Sequence, residues 1–128
     1  MATESKGMVW TGRVMSALPV AMLAIGGVMN LLQTEQAVKG AKDFGFPEGV
    51  VPVLGAICLA AAVLYAIPRT SVLGAILVTA WLGGAVATHV RAADGMWPAA
   101  IVFGVVTWGG LFLRDARIRA LIPLRKSS

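Results

Sequence analysis

Four long apolar stretches alternate with short polar segments along this chain. The stretches cover residues 14–32, 49–67, 72–90 and 96–113, and none of them contains Asp, Glu, Lys or Arg. At ~1.5 Å per helical residue, each reaches roughly 27–29 Å, which is close to the ~30 Å hydrocarbon thickness of a bilayer. The pattern predicts four transmembrane helices. The first should be retained, since it exceeds the ~7–15 apolar residues of a signal peptide.

The links between the later stretches are short. Residues 68–71 join the second stretch to the third, and residues 91–95 join the third to the fourth. Links of this length connect helices that lie side by side and run antiparallel. The expected fold is therefore all-α: a four-helix transmembrane bundle with up-down-up-down topology, forming a single domain over residues 1–128.

Two polar segments have an amphipathic pattern of their own. In the first loop Ala37, Ala41 and Phe44 recur at helical spacing, which predicts a short interfacial helix ended by Gly45 and the turn at Phe46. The C-terminal segment predicts a basic amphipathic tail. Its apolar and basic positions are Ile118, Leu121, Ile122, Arg114, Arg117 and Arg119.

Composition makes lipid the expected surroundings of these helices. The chain is 58% hydrophobic and 13% charged, against ~45–50% and ~25% for soluble domains. A soluble domain this small cannot bury so much apolar surface. The net charge of +5 does not indicate a nucleic-acid partner, because the basic residues stand at the ends of the apolar stretches rather than among stacking aromatic residues.

The distribution of lysine and arginine predicts the sidedness. Eight lie in the N-terminal segment, the second loop and the tail: Lys6, Arg13, Arg69, Arg114, Arg117, Arg119, Arg125 and Lys126. The first and third loops hold three, Lys39, Lys42 and Arg91. By the positive-inside rule, both termini are expected in the cytoplasm, with the protein in the plasma (inner) membrane.

Polar residues concentrate near one end of the predicted bundle. Asn30 and His89 stand close to the outer ends of their spans, while Glu48, Arg91 and Asp94 flank the spans on the same side. An imidazole can exchange a proton near neutral pH, and a carboxylate can orient it. Arginine can hold an anionic group. These five residues are predicted to form an outward-facing pocket for a quinone, a lipid headgroup or a small polarised substrate.

Other interpretations of these residues stay open. His89 can simply bond a neighbouring helix, and Arg91 with Asp94 can be an ordinary loop pair. No complete catalytic set is visible, so enzymatic activity is undecided; an oxidoreductase-associated subunit is the form expected of it. One histidine and the distant Cys58 do not predict a metal site. The cofactor is undetermined, with a quinone as one candidate.

Small residues predict close packing between helices, within the chain or with another membrane protein. They are Ala17, Ala21, Ala24, Gly55, Ala62, Gly74, Gly83, Gly84, Gly104, Gly109 and Gly110. The alternative function is therefore a structural subunit or assembly factor that packs against a partner or a second copy.

Several short motifs, taken in order, resemble the DoxX-like family of membrane proteins. The run from Gly83 to Arg91, with sequence GGAVATHVR, is similar to the third-helix motif of that family. Further similar segments are GVMNL at residues 27–31, GFP at 45–47, IPRT at 67–70, LGA at 73–75 and LRD at 113–115. The resemblance extends from about Gly12 to Pro123.

The resemblance implies a four-helix membrane protein. The family is named after a small subunit of a thiosulfate:quinone oxidoreductase, and related members include accessory and chaperone-like membrane proteins. Asn30 stands where many members have lysine. The resemblance therefore does not extend to the thiosulfate activity.

Overall fold

The described residues fold entirely into helices and connecting turns. The computed structural model describes residues 5–125, apart from the side chain of Glu48, and that part contains no strand. The helices are α1 (Lys6–Leu31), α2 (Glu35–Asp43), α3 (Val51–Ala66), α4 (Ser71–Ala92), α5 (Trp97–Arg114) and α6 (Ala116–Arg119), and 3-10 turns at Glu48–Val50 and Pro68–Thr70 precede α3 and α4. The all-helical class expected from the sequence is confirmed.

Three of these helices are long and apolar enough to cross a membrane: α1, α5, and α4 taken with its preceding turn. The helix α3 is equally apolar but has only 16 residues, so the second predicted stretch is shorter as a helix than expected. Prolines explain where α3 begins and where it ends. Pro52 stands in the first turn of α3, and Pro68 keeps the preceding Ile67 in an extended conformation.

The first helix starts earlier than the apolar stretch that predicted it. Ser5 caps α1 by accepting a hydrogen bond from the Met8 amide at 3.0 Å, and the helix then runs past Arg13 without a break. Charge limits how much of a helix can lie in hydrocarbon, but it does not end the helix. The predicted span of residues 14–32 is therefore the apolar part of a longer helix.

The four long helices pack side by side. The helix α1 contacts α3 and α5, and α4 contacts the same two helices. The buried apolar residues of the core are Leu23, Cys58, Ala61, Ala62, Tyr65, Ala75, Val78, Leu82, Ala100 and Leu111 from these helices and Ile118 from α6. Many of these side chains are small, so the helix backbones lie close to one another.

Glycines set the closest helix contacts. A Cβ added at Gly12 would lie 2.7 Å from the Gly110 carbonyl oxygen, between α1 and α5. One added at Gly55 would lie 2.7 Å from the Gly27 carbonyl oxygen, between α1 and α3. Neither site has room for a side chain, so these glycines fix how near α1 lies to its neighbours.

The small-residue prediction is confirmed in α3 and α5 and only in part in α1. Gly55, Ala62 and Gly110 are buried and Ala24 packs against the core, whereas Ala17 and Ala21 are exposed. The face that α1 buries consists of Gly12, Ser16, Pro19, Leu23 and Gly27. Its first member lies before the apolar stretch, which is why the stretch alone indicated a different face.

Tyr65 joins all four long helices at one end of the bundle, called here the Tyr65 end. Its buried hydroxyl donates to the Thr107 carbonyl at 2.5 Å and lies 3.0 Å from Ser16 Oγ. Its carbonyl accepts from Ser71 Oγ at 3.0 Å and from Arg114 Nη2 at 3.1 Å. The Arg114 guanidinium also lies 4.9 Å from the centre of the Tyr65 ring. This cluster therefore holds α3 to α1, α4 and α5.

The C-terminal segment returns to the bundle instead of forming a long amphipathic helix. The helix α6 is a single turn; Ile118 is buried and Leu121 is exposed. Asp115 pairs with Arg117 at 3.1 Å. Lys126, part of the predicted basic tail, lies outside the described residues.

Large apolar side chains cover the outside of the long helices. Examples more than half exposed are Val14, Ile25, Val53, Ile76 and Val105. A protein in water rarely exposes apolar patches of that extent. The exterior therefore suits hydrocarbon.

Candidate functional site

A cavity of about 590 Å³ lies at the end of the bundle opposite Tyr65, called here the His89 end. Its walls come from α1, α3 and α4, and α2 covers it. The lining residues are Asn30, Gln36, Ala37, Gly40, Ala41, Phe44, Phe46, Leu54, Ala80, Trp81, Gly84, Ala85, Thr88 and His89. Most are apolar, and the polar ones are few, which is the composition typical of small-molecule sites.

Two tight turns position α2 over the cavity. After α1, the Gln33 and Thr34 amides bond back to Asn30 O and Met29 O, and Gln33 takes a left-handed conformation with φ 50°. Thr34 then caps α2 by accepting from the Ala37 amide at 3.2 Å. This geometry reverses the chain at the end of α1 and starts the next helix at once.

The other end of α2 closes with the same motif. The Gly45 amide bonds to Lys42 O and the Phe46 amide to Ala41 O, both at 2.9 Å. Gly45 has φ 85°, a conformation that glycine adopts without a steric penalty. The predicted end of the helix at Gly45 is confirmed. The position of α2 at a membrane surface stays a prediction.

His89 and Asp94 form a close pair beside the cavity. Ala93, with φ 55°, ends α4 in a left-handed conformation and turns the chain back. Asp94 Oδ2 thereby comes 2.6 Å from His89 Nδ1, while Asp94 Oδ1 accepts from the Met96 amide at 2.9 Å. A carboxylate at Nδ1 holds a proton there, which leaves Nε2 as the acceptor of the neutral ring.

The hydrogen bonds to Asp94 lower the pKa of its carboxyl group. The Met96 amide is the largest cause and the His89 side chain is the second. The group is therefore a carboxylate at any pH near neutrality, and it keeps the orientation of the imidazole constant.

Arg91 acts on the cover of the cavity and not on its interior. It is not a lining residue; its Nη2 donates to the Phe44 carbonyl oxygen at 2.5 Å. The Phe44 ring meets the His89 ring edge-on, with 5.1 Å between the ring centres. Arg91 and His89 therefore attach the end of α2 to the end of α4.

Asn30 reaches the cavity from α1. Its Nδ2 donates to the Gly26 carbonyl oxygen at 2.7 Å, so one of its two amide protons is committed within its own helix. The second proton and the amide oxygen are what Asn30 can offer a ligand.

The sequence-predicted site residues thus have different positions. Asn30 and His89 line one cavity, Asp94 orients His89, and Arg91 holds the cover. The side chain of Glu48 lies outside the described part, so the structure assigns it no place in the site.

Of the lining residues, the sequence predicted only Asn30 and His89; among those it missed are the larger or polar side chains Gln36, Phe44, Trp81 and Thr88. Trp81, Thr88 and His89 share one face of α4 at helical spacing, with Gly84 and Ala85 between them. This helical spacing was the signal in the sequence that could have placed Trp81 and Thr88 beside His89. In an apolar helix, however, the face toward a cavity resembles the face toward lipid, since both are made of the same residue types.

Within the described residues, no group of three or more His, Cys, Asp or Glu side chains could hold a metal ion. The arrangement instead combines an apolar space, an oriented imidazole and one amide. Such a set can accept a hydrogen bond from the polar head of a ligand or donate one to it, while the apolar walls contact the hydrocarbon part of the same ligand.

The chain matches the sequence model of the DoxX-like family over residues 14–110. The matched range includes Asn30, His89, Arg91 and Asp94. The search of curated proteins and the search of solved structures gave no match.

Proposed function

The chain belongs to the DoxX-like family, and from this premise we propose that it is an integral membrane protein that binds an amphiphilic ligand beside His89. The ligand is a quinone-like or lipid molecule. The role is ligand binding or support of a redox reaction. The cavity of about 590 Å³ between Asn30 and His89 carries the proposal.

The chemistry of the cavity matches a ligand with one polar end. Asp94 Oδ2 lies 2.6 Å from Nδ1 of His89, which leaves Nε2 as the ring nitrogen that can bond a ligand. Nε2 can accept from a hydroxyl, and in the protonated ring it can donate to a carbonyl. A quinone and its quinol differ in these two groups, so one histidine serves both forms.

The proposed setting is a single domain of residues 1–128 in the plasma (inner) membrane. Four helices, α1, α3, α4 and α5, cross it up-down-up-down, and α2 lies at the outer surface over the cavity. Both termini are cytoplasmic. The lysine and arginine distribution and the apolar exterior support this placement.

Ligand binding is tested by titrating the detergent-solubilised protein with a short-chain quinone and following the quenching of tryptophan fluorescence. His89→Ala should weaken binding about tenfold, as expected for the loss of one hydrogen bond to a charged or polarised group. Thr11→Ala, at the Tyr65 end, is the control and should leave the affinity unchanged.

A native lipid is tested in parallel by mass spectrometry of the organic extract of the purified protein. We expect one amphiphile that is retained by the parent and lost from His89→Ala. If His89→Ala binds the quinone and retains the same extracted molecules as the parent, the proposed site is wrong.

The alternative proposal is a structural subunit or assembly factor, and the glycines of α4 favour it. Gly83 is exposed, and a Cβ there would meet nothing within 4 Å, so another helix could approach this face closely. Gly83→Leu should then break a complex with a membrane partner or a second copy, measured by co-purification and particle mass. A parent protein that is monomeric and without partners contradicts this alternative.

A further inference from the structure

The cavity beside His89 is open on one side of the bundle, and ligand binding at His89 alone gives this opening no role. On α4 the lining residues extend from Ala80 to His89, which is about 14 Å of helix at ~1.5 Å per residue. Two of them, Ala80 and Gly84, line the cavity and are nevertheless exposed. The cavity therefore reaches the outside of the bundle beside these two residues, at a place called here the side opening.

The side opening leads to the apolar exterior of the long helices. Leu73 and Leu77 precede Ala80 and Gly84 at helical spacing on the same face of α4. Both leucines are exposed. An apolar chain that leaves the cavity at the side opening can therefore continue along α4 without meeting a polar side chain on this face.

Gly84 keeps the side opening clear. A Cβ added there would meet no described atom within 4 Å, and the same is true of Gly40, which lines the cavity from α2. Inside a helix glycine is less stable than alanine, and helix packing among the described residues requires neither of these two glycines. The space in front of them is available to a ligand that approaches the helix backbone closely.

The polarity of the lining changes along the cavity. Asn30, Thr88 and His89 place their polar groups at the His89 end. Ala80 and Trp81, two turns or more away on α4, present a methyl group and an aromatic ring. A ligand with its polar end at His89 therefore has its apolar end at the side opening.

Side chains bridge α2 and α4 at the His89 end. Arg91 Nη2 donates to the Phe44 carbonyl oxygen at 2.5 Å, and the Phe44 ring meets the His89 ring edge-on. No Cα atom of α2 lies within 8 Å of a Cα atom of α4, so these side chains span the gap between the two helices. A ligand that passes between the helix ends has to separate them, whereas one that uses the side opening leaves them in place.

We propose that the ligand enters the cavity from the bilayer through the side opening and leaves its hydrocarbon chain there, with its polar end at His89. The ligand is then an amphiphile with a long chain, since a head group alone would leave the side opening empty. This inference rests on the proposed function, because the ligand is the one assigned to His89.

The position of the chain is tested with two quinones that share one ring, of which one carries a decyl chain and the other has no chain. Each is titrated into the protein in lipid nanodiscs. Tryptophan quenching is related to the quinone concentration in the lipid, so that partitioning into the bilayer does not enter the comparison. Gly84→Leu, which fills the side opening, should weaken binding of the decyl quinone about tenfold, as overpacking does, and leave the affinity for the chain-free quinone unchanged.

The matched control is Gly83→Leu. It adds the same side chain at the adjacent glycine, which is exposed but does not line the cavity. Both affinities should stay as in the parent.

A second measurement uses the parent protein and does not depend on the folding of Gly84→Leu. A decyl quinone with a diazirine near the end of its chain is photolysed in the same nanodiscs, and the crosslinked peptides are identified by mass spectrometry. The crosslinks should lie on residues 73–84 of α4 and disappear when unlabelled decyl quinone is in excess.

The two proposals fail in different ways. If neither quinone binds the parent, or if His89→Ala binds both as the parent does, the ligand site is wrong and this inference falls with it. If His89→Ala weakens both quinones but a folded Gly84→Leu affects the two equally, the ligand site stands and the side opening is wrong. Crosslinks found only outside residues 73–84 would likewise overturn the side opening alone.

Discussion

Gly74 and Gly83 belong to the same helix, α4, but their surroundings are opposite. A Cβ on Gly74 would lie 2.1 Å from the Tyr65 backbone nitrogen, whereas one on Gly83 would meet nothing within 4 Å. The first glycine allows α3 and α4 to touch where Tyr65 holds the bundle together. The second has no packing role among the residues that the structure describes.

Alanine substitutions should separate these two roles. Gly74→Ala forces α3 and α4 apart and should lower the free energy of unfolding by about 1–3 kcal/mol. Gly83→Ala should leave it unchanged or raise it by up to about 1 kcal/mol, because alanine favours the helix. Unfolding in mixed detergent micelles measures both. Equal losses in the two variants would contradict the described contact between α3 and α4.

The turn at Asp94 should persist to low pH. A carboxyl group with a lowered pKa in the folded state contributes stability above its unfolded pKa of ~3.9, and the contribution is lost as the pH falls through the folded pKa. Since the pKa of Asp94 is lowered, its bonds to Met96 and His89 should hold from neutral pH down to about pH 4 and weaken only below.

An NMR titration of the Asp94 carboxyl carbon measures this pKa. The midpoint should lie below the ordinary aspartate value in the parent. In His89→Ala it should rise but stay below that value, because the Met96 amide is the larger cause. A midpoint in His89→Ala equal to that of the parent would show that the imidazole does not bond the carboxylate.

At the scale of elements, α2 depends on few contacts for its position over the cavity. Its end is attached to α4 by the Arg91 bond to the Phe44 carbonyl and by the edge-on contact of Phe44 with His89. Its apolar face, which includes the buried Ala41, lines the cavity. An element held this way can open locally without unfolding the bundle.

Removing the Arg91 bond should loosen this cover. In Arg91→Gln, the backbone amides of residues 41–46 should exchange hydrogen about tenfold faster, because a hydrogen bond from a charged group contributes about 1.5–3 kcal/mol when well formed. Hydrogen exchange followed by mass spectrometry measures this rate. Lys42→Gln removes a charge from the same helix without touching α4 and is the control; an equal acceleration in both variants would contradict the attachment.

The apolar pattern alone predicted the bounds of two of the four long helices. Residues 72–90 and 96–113 correspond closely to α4 and α5, since short polar links bound both. Residues 14–32 and 49–67 correspond less well. The helix α1 continues through Arg13 to Ser5, and α3 loses residues to the 3-10 turn before Val51 and to the extended Ile67.

At the scale of the whole molecule, the sidedness can be tested with single cysteines. In a Cys58→Ala background, Ser5→Cys and Arg125→Cys mark the Tyr65 end, and Gln36→Cys marks α2. A membrane-impermeant thiol reagent should label Gln36→Cys in intact cells and the other two only after permeabilisation, because the positive-inside rule predicts that the positively charged ends lie in the cytoplasm. The reverse pattern would overturn the orientation but not the helical fold.

The sequence alone determined the helical class, the apolar exterior and the family, because hydrocarbon admits only backbones that satisfy their own hydrogen bonds and the apolar stretches show this directly. It also placed Asn30 and His89 at the same end of their helices. Only the tertiary structure decided which face of each helix is buried, since in lipid both faces are apolar. It was the tertiary structure that placed Gly12 against Gly110, made Tyr65 the contact common to four helices, directed Arg91 to Phe44 and laid α2 over the cavity.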